Sequence, residues 1–249
     1  MSSGRKTAVV AGVFFIVAAV AAVIGLALYG PVLHDTHYVV RTSGGDGRVL
    51  AGAICEILLV ISVIGTAVTL YPVVRREHEG LAIGYVAGRT VEALVIITGI
   101  ISLLSVVTLR QDLAGARGAD PGALVTVSQA LVAVHDWTFL IGPGMAIGVN
   151  TLLLATLMYR SRLVPRAIAI IGLAGGPLVF LAAFGVLLGA WTQLSLAGSL
   201  PAVPVAVWEM SLAVWMIVKG FRRSPAAVGA RPAAGPGPAP DPDPALCGA

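Results

Sequence analysis

Glu56, Arg89, Glu92, Asn150 and Glu209 are the residues of this chain best placed to do chemistry, because each lies inside a long apolar run. An ionised side chain at the centre of a lipid-spanning helix costs ~2.5–3.5 kcal/mol on insertion scales, so each needs a partner, a proton or water. His135 and Asp136 form a second candidate set, since an adjacent imidazole and carboxylate can act as acid and base. A third set is His34, Asp35 and His37, whose residue types can ligate zinc. An H-D-x-H run on a loop is a weak metal signal without a third convergent element, and solvated loop polarity is the leading reading.

The elements that must position these groups follow from the apolar pattern. The chain has 249 residues, of which 57% are hydrophobic and only 11% charged. Mean hydropathy is +0.94. A water-soluble exterior needs far more charge than this, so the bilayer is the fitting solvent. Crossing ~30 Å of hydrocarbon takes ~20 residues of helix. Six such runs occur, at 8–30, 50–72, 81–109, 131–158, 166–190 and 200–218. The expected fold is all-α, an integral membrane bundle of six transmembrane helices over 1–223. A Pro/Ala/Gly-rich tail over 224–249 has nothing to bury and is expected to be disordered. Segment 122–134 is also apolar; it either extends the fourth helix outward or lies in the interface. Gly142-Pro143-Gly144 and Gly175-Gly176-Pro177 should break or kink the fourth and fifth helices. The first run exceeds the ~7–15 apolar residues of a signal peptide, so it reads as a retained helix. Its Ala18, Ala19, Ala21, Ala22 and Gly25 suit close packing in the bundle or against a second copy in a homo-oligomer.

Charge sets the orientation. With the N-terminus inside, eleven of the sixteen Lys and Arg residues fall on the inner side and four outside, with Arg89 within a helix. The positive-inside rule therefore expects both termini in the cytoplasm and the protein in the plasma membrane. The basic residues sit at helix ends, not in a stripe, so the pI of 9.4 does not point to nucleic acid. Membrane lipids are the expected partners. Cys55 and Cys247 form no metal or disulfide framework. No cofactor motif is present.

Helical rise of ~1.5 Å per residue gives depth. From the cytoplasmic ends, Arg89 lies about 12 Å in, Glu92 about 16 Å, Asn150 about 13 Å and Glu209 about 15 Å. Glu56 lies about 9 Å below the outer end. Arg89 and Glu92, at i and i+3, share a helix face and can pair. One cation and three carboxylates cannot all be comfortably ionised in a dry site. At least one glutamate is therefore expected to be protonated, or the cluster holds water or a cation. Three uses stand open: polar glue between helices, a binding or conduction cavity, and catalysis. The leading reading is a non-enzymatic membrane protein with a small polar cavity between helices two, three, four and six, its small ligand unknown. A transporter or channel for a small solute or ion is the first alternative, and an enzyme acting on a lipid-like substrate through His135 and Asp136 the second.

Four stretches, in order, are distinctive: G-R-T-V-E from Gly88 to Glu92, H-D-W-T-F-L-I-G from His135 to Gly142, R-S-R-L-V-P-R from Arg160 to Arg166, and W-E-M-S-L-A-V-W-M-I-V-K-G-F from Trp208 to Phe221. Over roughly 5–223 the chain resembles the bacterial membrane proteins of domain-of-unknown-function family 4386. The resemblance implies a six-helix membrane protein and brings no activity with it. It falls on Arg89, Glu92, His135, Asp136, Pro165, Glu209 and Lys219. Pro165 should start the fifth helix, and Lys219 should meet lipid phosphates at the end of the sixth.

Overall fold

A computed structural model describes residues 3–41, 44–113, 116 and 118–222. The tail over 224–249, with Cys247, lies outside the described residues. Within them the chain is helical, with no strand. Helix α1 is Ser3–Leu28, followed by the short α2 (Gly30–His34) and a 3-10 turn, Tyr38–Val40. Next come α3 (Asp46–Val74), α4 (Glu79–Leu113) and α5 (Pro121–Phe139). A π-helical segment, Leu140–Ala146, joins α5 to α6 (Ile147–Ser161). The chain ends in α7 (Arg166–Leu187), the single-turn α8 (Leu196–Ser199), a 3-10 turn (Leu200–Ala202) and α9 (Val203–Val218). Six helical runs are long and apolar enough to cross a membrane: Gly4–Leu28, Asp46–Val74, Glu79–Asp112, Pro121–Ser161, Arg166–Leu187 and Leu196–Val218.

The fourth run starts ten residues earlier than 131, so segment 122–134 is part of the helix. The local cause is a strong start signal. Asp120 stands at the N-cap and accepts a hydrogen bond from Gly122 N at 2.9 Å, and Pro121 takes the first helical position. The Gly-Pro-Gly at 142–144 does not break the run. Pro143 lacks an N–H, and the helix absorbs the missing bond by widening locally to π geometry. In α7, Pro177 is accommodated within a continuous α-helix. Its neighbours Gly175 and Gly176 let other helices approach instead. A Cβ on Gly176 would stand 2.8 Å from the Gly148 carbonyl oxygen of α6, and one on Gly148 would stand 2.8 Å from Gly176 O. The α6–α7 crossing is thus made at backbone distance.

Helix α1 packs against α3 and α9, α3 against α4, α4 against α5 and α6, α6 against α7, and α7 against α9. Two glycines of α1 serve this intramolecular packing. Gly25 faces Gly52 and Glu56 of α3, and Gly12 faces Ala213 and Ile217 of α9. Large apolar side chains point outward all along the helices, as with Ile54, Ile57, Ile61 and Val68 of α3 and Val91, Leu94 and Ile101 of α4. Such a surface fits lipid and would be untenable in water. Two apolar cores fill the interior. One, around Leu154, Met158, Trp208, Leu212 and Met216, lies toward the face holding the N-terminus. The other, around Tyr29, Val39, Ile96, Ile100 and Leu103, lies toward the opposite face. At the N-terminal face Arg5 donates to Ile217 O at 2.8 Å, so the end of α9 is capped by α1. Gly220, at φ 72°, turns the chain away beside that guanidinium.

Candidate functional site

The boundary between the two cores is polar. Tyr85 of α4 belongs to the first core and Ala93 to the second. Between them, on the same helix, lie Arg89 and Glu92, 4% and 3% exposed. Arg89 Nη1 donates to both Glu92 carboxylate oxygens, at 3.3 and 3.1 Å. Its Nη2 donates to Glu209 Oε1 of α9 at 2.9 Å. Its Nε donates to the Tyr85 hydroxyl at 3.3 Å, and that hydroxyl donates to Thr66 Oγ1 of α3 at 3.4 Å. The guanidinium also lies over the rings of Phe15 and Tyr85, 5.7 and 5.6 Å from their centroids. Arg89 therefore joins α1, α3, α4 and α9 through one planar group. Asn150 of α6 completes the layer, donating from Nδ2 to Glu92 Oε2 at 2.7 Å. Its Oδ1 packs directly against Gly88, where any Cβ would overlap it, and accepts no hydrogen bond.

Four of the five predicted cluster residues thus meet: Arg89, Glu92, Asn150 and Glu209. Glu56 does not join them. It is 8% exposed and accepts a hydrogen bond at Oε2 from the Tyr29 hydroxyl at 2.9 Å. Its height follows from the Tyr85–Thr66 bond, which sets the register of α3 against α4. Counting helical rise from that bond puts Glu92 about 5 Å, and Glu56 about 9 Å, beyond Arg89 toward the opposite face.

The separation is filled by a cavity of about 270 Å³. Arg89, Glu92 and Glu209 form its floor, and Glu56 and Thr66 its polar wall. His135 and Thr138 add polar groups from α5, and the rest of the lining is apolar, including Phe15, Ala18, Ala22, Ile96 and Phe139. Along α1 it reaches from Phe15 to Leu26, about 16 Å of helix. Pro143 and Ile147 bring the π segment and the start of α6 to the wall. The cavity therefore involves helices two, three, four and six of the expectation, plus α1, which the sequence offered no polar residue to implicate.

His135 belongs to this cavity and not to an outer interface. Because α5 begins at Pro121, His135 lies fourteen residues inside the helix, and it is 4% exposed. Its ring meets Tyr29 edge-on at 5.7 Å and stacks on Phe139 at 6.3 Å. Asp136 points away, with its side chain 64% exposed, and only a 3.5 Å contact links it to His135 Nδ1. The pair is poorly disposed for acid–base work on one substrate. The His34, Asp35, His37 set is also not convergent. His34 Nδ1 lies 3.2 Å from Gly30 O, while Asp35 accepts from His37 N at 3.1 Å and pairs with Arg41 at 3.1 Å. Among the described residues no three His, Cys, Asp or Glu side chains are arranged to hold a metal.

At the opposite face a polar clasp ties the loop after α2 to the bundle. Tyr38 donates to Asp46 Oδ1 at 2.6 Å, Arg110 bonds the same carboxylate, and Gln111 donates to Asp46 Oδ2 at 3.1 Å. Arg110 lies 4.9 Å over the Tyr38 ring and donates from Nε to Arg41 O at 3.2 Å. Burial first, then the bond to Asp46, push the Tyr38 phenol up to about 12, against the opposing pull of Arg110.

Sequence reasoning missed Tyr29, Thr66, Tyr85 and Phe15. Tyr85 had a readable signal, since it precedes Arg89 by four residues on the same helix face. Phe15 lies on α1 and Tyr29 just past its end, and the facing of both is decided by packing alone.

No curated protein and no solved structure matches the chain. A family match does exist, and it runs over residues 10–220, which take in the first membrane-spanning helix from Val10, the other five whole, and the residues lining the cavity. The chain belongs to the family described as Domain of unknown function (DUF4386), and it is a multi-pass membrane protein.

Proposed function

We propose that this is a non-enzymatic membrane protein that binds a small amphipathic molecule in the cavity between α1, α3, α4, α5 and α9. The observation that carries the reading is the combination of an apolar wall with a buried ionic floor in a space of about 270 Å³. Polar glue alone needs no space: hydrogen bonds across membrane helices contribute about 0.6 kcal/mol each in close contact. Here the ionic groups hold one another and also line a cavity of that size. Pockets of this size and polarity suit a ligand with an apolar body and one polar end. The orientation inferred from the basic residues, with both termini cytoplasmic in the plasma membrane, puts the cavity in the outer half of the bilayer.

Transport is a second reading, favoured by one feature. The π segment lines the cavity at Pro143, and irregular helix within a membrane is often found where a site must open.

The test is co-purification. Protein extracted from membranes and stripped of free lipid should release a small molecule on denaturation, detected by mass spectrometry. Ala22→Trp, which fills the cavity from α1, should lose it while the helical content and elution volume stay unchanged. An identical small-molecule content in both proteins would contradict the proposal.

A further inference from the structure

Resting on that reading, we infer that the cavity takes an organic cation, and that Glu56 with the free side of Glu209 holds its charge. The argument begins with which carboxylate oxygens are engaged. Both oxygens of Glu92 face Arg89, and Oε2 also accepts from Asn150. Glu92 and Arg89 therefore compensate each other, and neither has capacity to spare. Glu209 meets the guanidinium through Oε1, and among the described residues its Oε2 accepts no hydrogen bond. Glu56 is further removed. Its Oε2 accepts from the Tyr29 hydroxyl, and among the described residues its Oε1 accepts no hydrogen bond and no Lys or Arg forms an ion pair with it. The residual exposure of this mostly buried side chain faces the cavity, which it lines.

The formal charge of the lining completes the case. One guanidinium stands against Glu56, Glu92 and Glu209, and the three carboxylates outnumber the cations even with the His135 imidazole counted among them. A cation between Glu56 and Glu209 relieves that excess, whereas an anion would add to it. The two carboxylates sit about 9 Å apart in height, taking Glu209 level with Arg89, which leaves room for a compact cationic group between them. Phe15 of α1 and Phe139 of α5 also line the cavity, one ring beside Arg89 and the other beside His135, and aromatic rings are what quaternary and alkylated ammonium groups favour. The remaining Ala, Ile and Leu side chains suit the apolar part of such a molecule. The ligand class is thus a small lipophilic cation, which the bilayer itself would concentrate near the cavity.

The experiment uses the full chain in lipid nanodiscs and three probes of similar shape: benzyltrimethylammonium, neutral neopentylbenzene and anionic benzylsulfonate. Binding is measured by calorimetry to wild type and to Glu56→Gln, which keeps an oxygen for the Tyr29 hydroxyl. The expected result is binding of the cation at least about tenfold tighter than of the neutral probe, with no binding of the anion. Glu56→Gln should remove that tenfold advantage and leave the neutral probe unchanged, which also shows that the variant is folded. Equal binding of the cation and the neutral probe, or preference for the anion, overturns the cation assignment and leaves the cavity reading standing. Failure of all three probes to bind overturns both.

Discussion

Arg89 is the residue whose removal tests the polar layer most severely. Replacing it with methionine keeps the apolar stem but deletes two hydrogen bonds to Glu92, one to Glu209 and one to Tyr85. The lost bonds are the lesser effect. Two carboxylates are left in a nonpolar interior with no cation beside them, and breaking a buried ion pair from one side costs ~3–5 kcal/mol. For a chain of this size each kcal/mol lowers Tm by ~2–4 °C, so Arg89→Met should melt ~6–20 °C below wild type. The assay is the helical circular-dichroism signal on heating the detergent-solubilised protein. The structure also predicts a rescue. In Arg89→Met/Glu92→Gln the inner carboxylate no longer carries charge, so the double variant should be more stable than Arg89→Met alone, by ~0.5–3 kcal/mol of coupling. A drop below about 2 °C for the single variant, or a double variant whose loss is the sum of the two singles, would refute the claim that these groups form one coupled unit.

Further outcomes follow from the packing and the clasp. Gly88→Ala drives a methyl group into Asn150 Oδ1 and should cost ~1–3 kcal/mol, whereas in an Asn150→Ala background the same change should be nearly neutral; a double-variant cycle on Tm measures this. Gly148→Val should separate α6 from α7, because its Cβ would stand 2.8 Å from both Gly176 O and Phe180 Cβ; a Tm within 2 °C of wild type would contradict the close crossing. Tyr38 is neutral in the folded state until about pH 12, against an ordinary value near 10. Its raised value means that its contribution is fully present below pH 10 and is lost as pH climbs toward 12. The ultraviolet difference titration between wild type and Tyr38→Phe should show a midpoint near 12, and one near 10 would place the phenol in water.

How much of this could be read beforehand differs by feature. Six spans follow from hydropathy, because lipid demands long apolar helices and nothing else in the chain competes. The meeting of Arg89, Glu92, Asn150 and Glu209 was legible from depth alone: charge is so costly in a bilayer that groups at one level seek each other. Glu56 misled by the same logic. Depth gave its height but not its azimuth, and it turned to Tyr29, the residue that links α1 to α2. His135 was misplaced for a different reason. With the fourth run opening at 131, His135 reads as an end residue; the Asp120-Pro121 start signal moves the helix start to 121 and carries His135 well inside. The role of α1 was not legible, because alanine and glycine give a helix no preferred face until its neighbours are known. The π segment likewise depends on how the missing Pro143 bond is absorbed, and a kink and a bulge look alike in sequence.

The central claim is that a space open to small molecules reaches the ionic floor along α1. With Cys55 and Cys247 replaced, single cysteines at Leu26, Ala22 and Ala18 line that path, and one at Val20, 52% exposed on the outer surface of the helix, serves as the lipid-facing control. Each is treated in membranes with a charged, membrane-impermeant methanethiosulfonate from either side. The account predicts labelling at all three lining positions from the face opposite the N-terminus, slowing from Leu26 to Ala18, and none at Val20. Absence of labelling at Ala22 and Ala18 from both sides, in protein that retains its wild-type Tm, would contradict it.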